Sequence, residues 1–312
     1  MPSPLLPAQQ PTPDPRLHEL VAGQVYAHLQ PRGGWCVSNA GVLAGPDGVT
    51  LIDCTATPRS AARLRAQIAS RTQLPITRLV ISHHHGDHHY GASAFPEATV
   101  IAHEHTRSAI LRDGLNLTQI WPDAGWGQLE LTVPQVTFTD RLTLHLGSLP
   151  VELIHFGPAH TTGDIVAWLP EHRILFAGDL VFSQATPFVF MGSVKGSLRV
   201  LEQLRALDPQ AIVSGHGPIA GVEVIDENLA YLRWIDHLAA EGLAAGWSPL
   251  ETAQRSDLGP YRDLPEAERI VGNLHRAYAE HTGQPLGAEL PIGPPLGDMV
   301  AFNGGRPMPC TV

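Results

Sequence analysis

The chain alternates between two hydrophobic rhythms. Short apolar runs bounded by glycine, proline and aspartate predict strands, and longer stretches with apolar residues every three or four positions predict helices. In the first half, "GQVYAHL" (23–29), "SNAGVLAG" (38–45), "GVTLIDC" (48–54), "ITRLVISH" (76–83) and "ATVIAHE" (98–104) have the strand pattern. "PRSAARLRAQIASRTQ" (58–73) has the helical one, with Pro58 where a first turn tolerates it. A short helix is expected over 105–113. Residues 114–135, with Trp121 and Trp126 among prolines and glycines, read as a long structured loop.

The second half repeats this order. Strands are expected at 136–140, 142–147, 151–157, 164–170 and 173–179, a helix at 197–207, and a strand at 211–217 that ends in a glycine-flanked histidine. Helical periodicity returns over 222–241 and 264–281, and the last thirty residues are rich in proline and glycine. Two similar halves, each a run of strands followed by helix, predict two sheets packed together with helices outside. The Pro- and Gln-rich residues 1–15 read as a flexible tail. Residues 16–312 read as one domain, of which 222–312 form a helical C-terminal extension.

Composition narrows the function. The 312 residues are 43% hydrophobic and 16% charged, as in ordinary globular proteins. A net charge of −10 with no basic run argues against a nucleic-acid partner, whose phosphates need Lys and Arg. Three cysteines, Cys36, Cys54 and Cys310, make no disulfide framework and suit a reducing compartment. The first residues lack the cationic and apolar regions of a signal peptide, and no run reaches the ~18 apolar residues of a membrane span. The expected location is the cytoplasm, with no membrane partner.

The chemistry concentrates in "VISHHHGDHHYGA" (80–92). In extended chain, residues two apart face the same way, so His83 and His85 can converge on one ion while His84 points away. Gly86 permits a tight turn, after which Asp87 and His88 can open a helix and offer a second pair of donors. Imidazole with carboxylate suits zinc, and also admits iron or manganese. Further donors, His160, Asp179 and His216, each stand beside glycine at the predicted end of a strand, where loops carry site residues. The expected division is His83, His85 and His160 for a first ion, Asp87, His88 and His216 for a second, and Asp179 bridging both. A loose metal-sticky histidine run is the plain alternative for residues 83–89 alone. The downstream trio argues against it.

These seven residues, in this order, resemble the metallo-β-lactamase superfamily, whose HxHxDH signature stands here as residues 83–88. The resemblance spans roughly residues 20–240. It implies a four-layer αββα sandwich, two metal ions at one edge of the sheets, and hydrolysis by metal-bound hydroxide, with Asp87 and Asp179 available for proton transfer. Ions about 3.5–4 Å apart can share the hydroxide and polarise an acyl oxygen. Asp53, where the superfamily often has an aspartate, is expected to fix a turn or a ligand. His84 and His89 fall outside the signature and are expected to support it, Cys54 to be buried, and Asp164 to brace the loop after His160. A carboxylate at Asp179 favours thioester and lactone hydrolases over many β-lactamases of this fold.

A narrower resemblance rests on "GGWCVSNAGV" (33–42), "IWPDAGWGQLEL" (120–131), "TPFVFMGSVKGSL" (186–198), "YLRWI" (231–235) and "VAFNGG" (300–305). These look like the metallo-β-lactamase-fold cyclases of aromatic polyketide pathways. That implies a small-molecule acyl substrate held as a thioester on a carrier protein, with release from that thioester and closure or aromatisation of a later ring. Trp35, Trp121, Trp126, Phe188 and Phe190 are then candidates to line a flat apolar pocket, and Lys195, the sole lysine, to meet a carboxylate or carrier phosphate. A general thioester, lactone or ester hydrolase is the alternative, and a non-catalytic metal-binding protein is the alternative of another class.

Overall fold

The computed structural model describes residues 16–30 and 34–312, so the expected tail at 1–15 lies outside the described residues. A seven-stranded sheet forms first. Its strands are β1 (Arg16–Val21), β2 (Val25–Leu29), β3 (Ala40–Gly45), β4 (Gly48–Ile52), β5 (Ile76–Val80), β6 (Thr99–His103) and β7 (Val136–Phe138), in that spatial order. The hairpins β1–β4 are antiparallel and β4–β7 run parallel. The second sheet has the order β12-β11-β10-β9-β8, from β8 (Arg141–Leu146), β9 (Leu149–His155), β10 (Ile165–Leu169), β11 (Ile174–Phe182) and β12 (Ala211–His216).

Alternation along the strands sorts apolar side chains into three layers of contact. Leu43 on β3, Ile52 on β4 and Val80 on β5 face Val151, Leu153 and Phe176 of the other sheet, forming the core between the sheets. Their neighbours Val42, Leu51 and Leu79 turn outward onto α1 (Pro58–Ala69). That helix starts at Thr57, whose hydroxyl accepts from Ser60 N–H, and it buries Ala61, Leu64 and Ile68 at helical spacing. Leu175 and Ala177 on β11 turn outward onto α5 (Val194–Ala206), α6 (Glu223–Ala245) and α8 (Arg269–His281), the third core. Three apolar interfaces between four layers are the expected sandwich, with the C-terminal helices extending its outer layer.

Some elements escape the hydrophobic pattern. β1 is an edge strand whose residues are mostly exposed or half-buried, so its sequence carries no alternation. The proline-rich end contains α9 (Gly293–Phe302), and α7 (Pro249–Arg255) also begins on a proline, here behind a Ser248–Glu251 capping box. The expected loop at 114–135 includes the short helix α4 (Leu117–Ile120). β11 continues three residues past Asp179, so this residue lies inside a strand rather than at its end.

Candidate metal centre

All seven donors meet at one edge of the two sheets. His83 and His85 follow β5 through a bend over residues 82–84, not in the expected extended chain, with His85 itself extended as the cap of the next helix. Asp87 and His88 stand in α2 (Gly86–His89), a single turn that begins immediately after. The second sheet supplies His160 from the β9–β10 connection, Asp179 from β11 and His216 from the end of β12. Donor atoms of His83, His85, His160 and Asp179 lie within 4.8 Å of one another, as do those of Asp87, His88 and His216. The Asp179 carboxylate reaches both groups. Its Oδ2 is 3.4 Å from His160 Nε2 and 3.2 Å from His216 Nε2, and its Oδ1 is 3.1 Å from His88 Nε2. Asp87 Oδ2 is 3.4 Å from His216 Nε2 and 3.6 Å from His88 Nε2.

The backbone is shaped to allow this. The β11–β12 pairing slips on both sides of Gly178, which has φ of 51°, and the slip aims Asp179 into the site. A side chain at Gly215 would run into the Asp179 carboxylate. Gly86 is needed for a different reason from the expected tight turn. Its φ is ordinary for an L-residue, but a Cβ there would strike the Tyr90 ring.

Neighbouring groups fix the imidazoles. Asp53, itself at φ of 60°, accepts from Ser82 N–H and Ser82 Oγ–H at 2.7 Å and from His88 Nδ1–H at 2.8 Å. In the neutral imidazole that bond leaves His88 Nε2 unprotonated and facing the donor cluster. His160 Nδ1–H donates to the Phe188 carbonyl at 2.5 Å, so its Nε2 also faces inward. Asp164 accepts from Thr161 N–H and Oγ1–H and ties down the loop that carries His160. Cys54 is fully buried. His89 donates to the His84 carbonyl at 3.1 Å and so braces the motif's own backbone, whereas the His84 ring points away from the donors to lie 3.5 Å from Asp113. His103 and His155 stack at 3.9 Å away from the donors, and His105 and His145 are exposed.

Electrostatics at His83 and His85 match donor chemistry. Burial, reinforced by neighbouring imidazoles, holds His83 and His85 well below the usual histidine value, in the neutral form that ligates. Burial works against charging His88 too, but the carboxylates of Asp179, Asp87 and Asp53 overcome it and raise its pKa. Burial would raise the Asp179 carboxyl, yet His216, His88 and His160 hold it well below the carboxylate range. His83 Nε2 and His88 Nε2 are buried without hydrogen-bond partners. Orphaned imidazole nitrogens around shared carboxylates fit a pair of divalent cations.

A pocket of about 750 Å³, counting its open mouth, opens from this cluster. Trp35, Trp121, Phe188 and Phe190 line it together with His85, Asp87, His160, Asp179 and His216. Two expected wall residues are placed elsewhere. Trp126 is buried behind the pocket against Cys36 and Tyr90, and its indole N–H holds the Trp121 carbonyl at 2.7 Å. Lys195 stands in the first turn of α5, not in a loop. Its backbone N–H caps onto Glu280 and its side chain is exposed, outside the pocket lining. Sequence reasoning missed Cys36, Met191, Arg269 and the α9 residues Leu296 and Met299. Arg269 carried a signal. It is an arginine on the apolar face of α8, and it packs over the Trp35 ring at 4.4 Å.

Comparisons with known proteins agree with this geometry. Residues 33–216 match the sequence profile of the Metallo-beta-lactamase superfamily. A metallo-β-lactamase type 2 of Bacteroides fragilis is 37% identical over 101 residues, 31% of this chain and 41% of its own. A hydroxyacylglutathione hydrolase of Rhizobium meliloti (strain 1021) is 31% identical over 142 residues, 45% of this chain and 48% of its own. The chain spans about half the length of the curated relatives it matches. The solved metallo-β-lactamase from Pontibacter korlensis superposes with a TM-score of 0.60 at 20% identity, over 70% of this chain and 99% of that one, a likeness of fold.

Proposed function

The chain belongs to the metallo-β-lactamase superfamily, and from that premise we propose that it is a dinuclear metal hydrolase, with zinc as the native ion, acting on a thioester whose acyl group is bulky and aromatic. Its most specific form is a cyclase/thioesterase acting on a carrier-bound aromatic polyketide. The observation that carries the proposal is the pocket. The same cavity that exposes Asp87, Asp179 and three of the histidines is walled by Trp35, Trp121, Phe188 and Phe190. Flat apolar walls beside a few convergent polar groups suit a polycyclic acyl chain.

The residues divide the work. His83, His85, His160 and Asp179 would hold one ion, and Asp87, His88, His216 and Asp179 the other. When bound, such a pair supplies an ionised water as nucleophile and polarises the acyl oxygen. Asp53 and the Phe188 carbonyl keep His88 and His160 in the tautomers that face inward. Asp87 and Asp179 face the pocket and are placed to accept a proton on a carboxylate oxygen. The aromatic wall orients the acyl chain and excludes water. Trp35 is held there by its indole N–H on Glu268 at 2.8 Å, and Trp121 by its indole N–H on the Met308 carbonyl at 2.8 Å. The stretches that resemble polyketide cyclases supply Trp35, Trp121, Phe188 and Phe190, which supports the narrower form.

The test joins metal analysis to a substrate panel: a naphthoyl thioester, an aliphatic lactone, S-lactoylglutathione and nitrocefin. We expect two zinc ions per chain, loss of turnover on chelation, and highest kcat/KM for the naphthoyl thioester. Faster lactone or nitrocefin turnover moves the protein to the general hydrolases. Metal content below one ion per chain overturns the dinuclear centre.

A further inference from the structure

A second cavity adjoins the apolar pocket, with about 830 Å³ of empty space including its opening. The two share Asn116, Phe190, Met191 and Ile292 as their dividing wall. This one is polar, lined by His84, Arg112, Asp113, Thr162, Arg276 and Glu289. We propose that it is an oxyanion subsite, in which Arg276 binds a carboxylate or phosphate carried by the substrate whose acyl group fills the apolar pocket. The proposal deepens the hydrolase reading and rests on it for the substrate's identity.

The charges around the cavity single out Arg276. Arg112 pairs with Asp113 at 2.7 and 2.8 Å and with Glu289 at 2.6 Å, so its guanidinium is already held by two carboxylates and is not open to a ligand. The buried His84 ring lies 3.5 Å from Asp113 on the same side of the cavity. Arg276 is 1% exposed, and its Nε–H donates to the Phe190 carbonyl at 2.7 Å. Its Nη1 is buried with no hydrogen-bond partner among the described residues. Glu280, one turn along the same helix, attracts Arg276 through space, but its oxygens accept from the backbone N–H groups of Val194 and Lys195 at 2.9 and 3.1 Å.

A buried guanidinium whose hydrogen bonds reach no carboxylate is an unusual thing for a fold to keep. Its planar fork matches a carboxylate or phosphate two oxygens at a time. The Phe190 carbonyl holds the fork in place, while the Phe190 side chain belongs to the wall of the acyl pocket. A ligand that lies across that wall presents apolar rings to one side and an anion to the other.

The test compares naphthoyl thioesters that differ only in a distal carboxylate or its carboxamide, and compares the coenzyme A thioester with the N-acetylcysteamine thioester of the carboxamide form. We expect the wild type to prefer one anionic member by at least about tenfold in kcat/KM, the size of one charge-assisted hydrogen bond. Preference for the carboxylate places the oxyanion on the acyl chain, and preference for the coenzyme A thioester places it on the thiol arm. Arg276→Met should lower kcat/KM for the preferred anion about tenfold more than for its neutral partner, and Arg276→Lys should restore part of the difference. Should no thioester turn over, the hydrolase reading fails. Calorimetric titration with the unreactive naphthyl carboxylate and carboxamide still tests the subsite, because their difference in affinity must shrink in Arg276→Met. No anion preference in the wild type, or one that persists in a folded Arg276→Met, overturns the proposal.

Discussion

Replacing Asp53 by asparagine changes one atom and should remove a metal. One oxygen of Asp53 accepts the Ser82 N–H, and the other accepts from Ser82 Oγ–H and His88 Nδ1–H, all within 2.8 Å. In Asp53→Asn the amide oxygen can keep the Ser82 N–H. The amide nitrogen then faces His88 Nδ1 as a donor, so Nδ1 must become the acceptor. The imidazole proton moves to Nε2, the atom that sits 3.1 Å from Asp179 and 3.6 Å from Asp87. A protonated Nε2 cannot ligate. Changes to such supporting partners weaken metal binding by about 10–100-fold, or about 1.4–2.7 kcal/mol. The loss should fall first on the ion held by Asp87, His88 and His216, since His88 bonds Asp53 directly while His83 Nδ1 reaches it only through Ser82 Oγ, at 3.0 Å. Zinc titration against a chelating dye measures both steps. We expect the tighter step to stay in place and the weaker one to shift, with unchanged far-UV circular dichroism. Two zinc ions bound as tightly as in the wild type would refute the tautomer argument.

Two further predictions follow from the same coordinates. Asp87→Ala should leave one ion per chain and little activity, because it removes a donor from the second group alone; full metal content in atomic absorption would break that assignment. Stability should also fall in mild acid through His28, which is 1% exposed, donates Nδ1–H to Gln67 at 3.0 Å and is held by burial at a pKa of about 4. Between there and the unfolded value near 6.5 the unfolded chain binds more protons, so stability rises with pH across the window and is lost as pH falls through it. The full contribution is about 3 kcal/mol. The urea midpoint of His28→Gln should therefore vary less with pH than that of the wild type, and equal slopes would contradict the assignment.

The legible parts of the molecule were those written in local pattern. Strands such as β4 and β9 have apolar residues on one or both faces, and the histidine motif, taken with the later His160, Asp179 and His216, has the order of a metal-ligand set. The illegible parts depend on distant partners. β1 has too little burial to leave a pattern. α9 begins with two prolines that read as loop, although proline is at home in a first turn. Trp126 and Trp121 are five residues apart in one loop, yet one is a strut and the other a wall. Their difference lies in where each indole finds its acceptor, on Trp121 itself or on Met308. Lys195 looked available because it is unique, but its place on α5 points it away. Arg276 was hidden for the opposite reason: charged residues rarely occupy the buried face of a helix, and periodicity alone gives no reason to expect one there.

The donors also divide by sheet. His83, His85, Asp87 and His88 come from the first, and His160, Asp179 and His216 from the second. Each proposed ion would therefore take ligands from both halves of the chain, with the Asp179 carboxylate within reach of both donor groups. Such a centre would be a clasp as well as a workplace. Loss of an ion would weaken the seam between the two sheets, and slippage of one sheet against the other would spoil both donor groups together. Metal loading and the registration of the halves would become a single property, so a chain assembled out of register could not gather either set of donors.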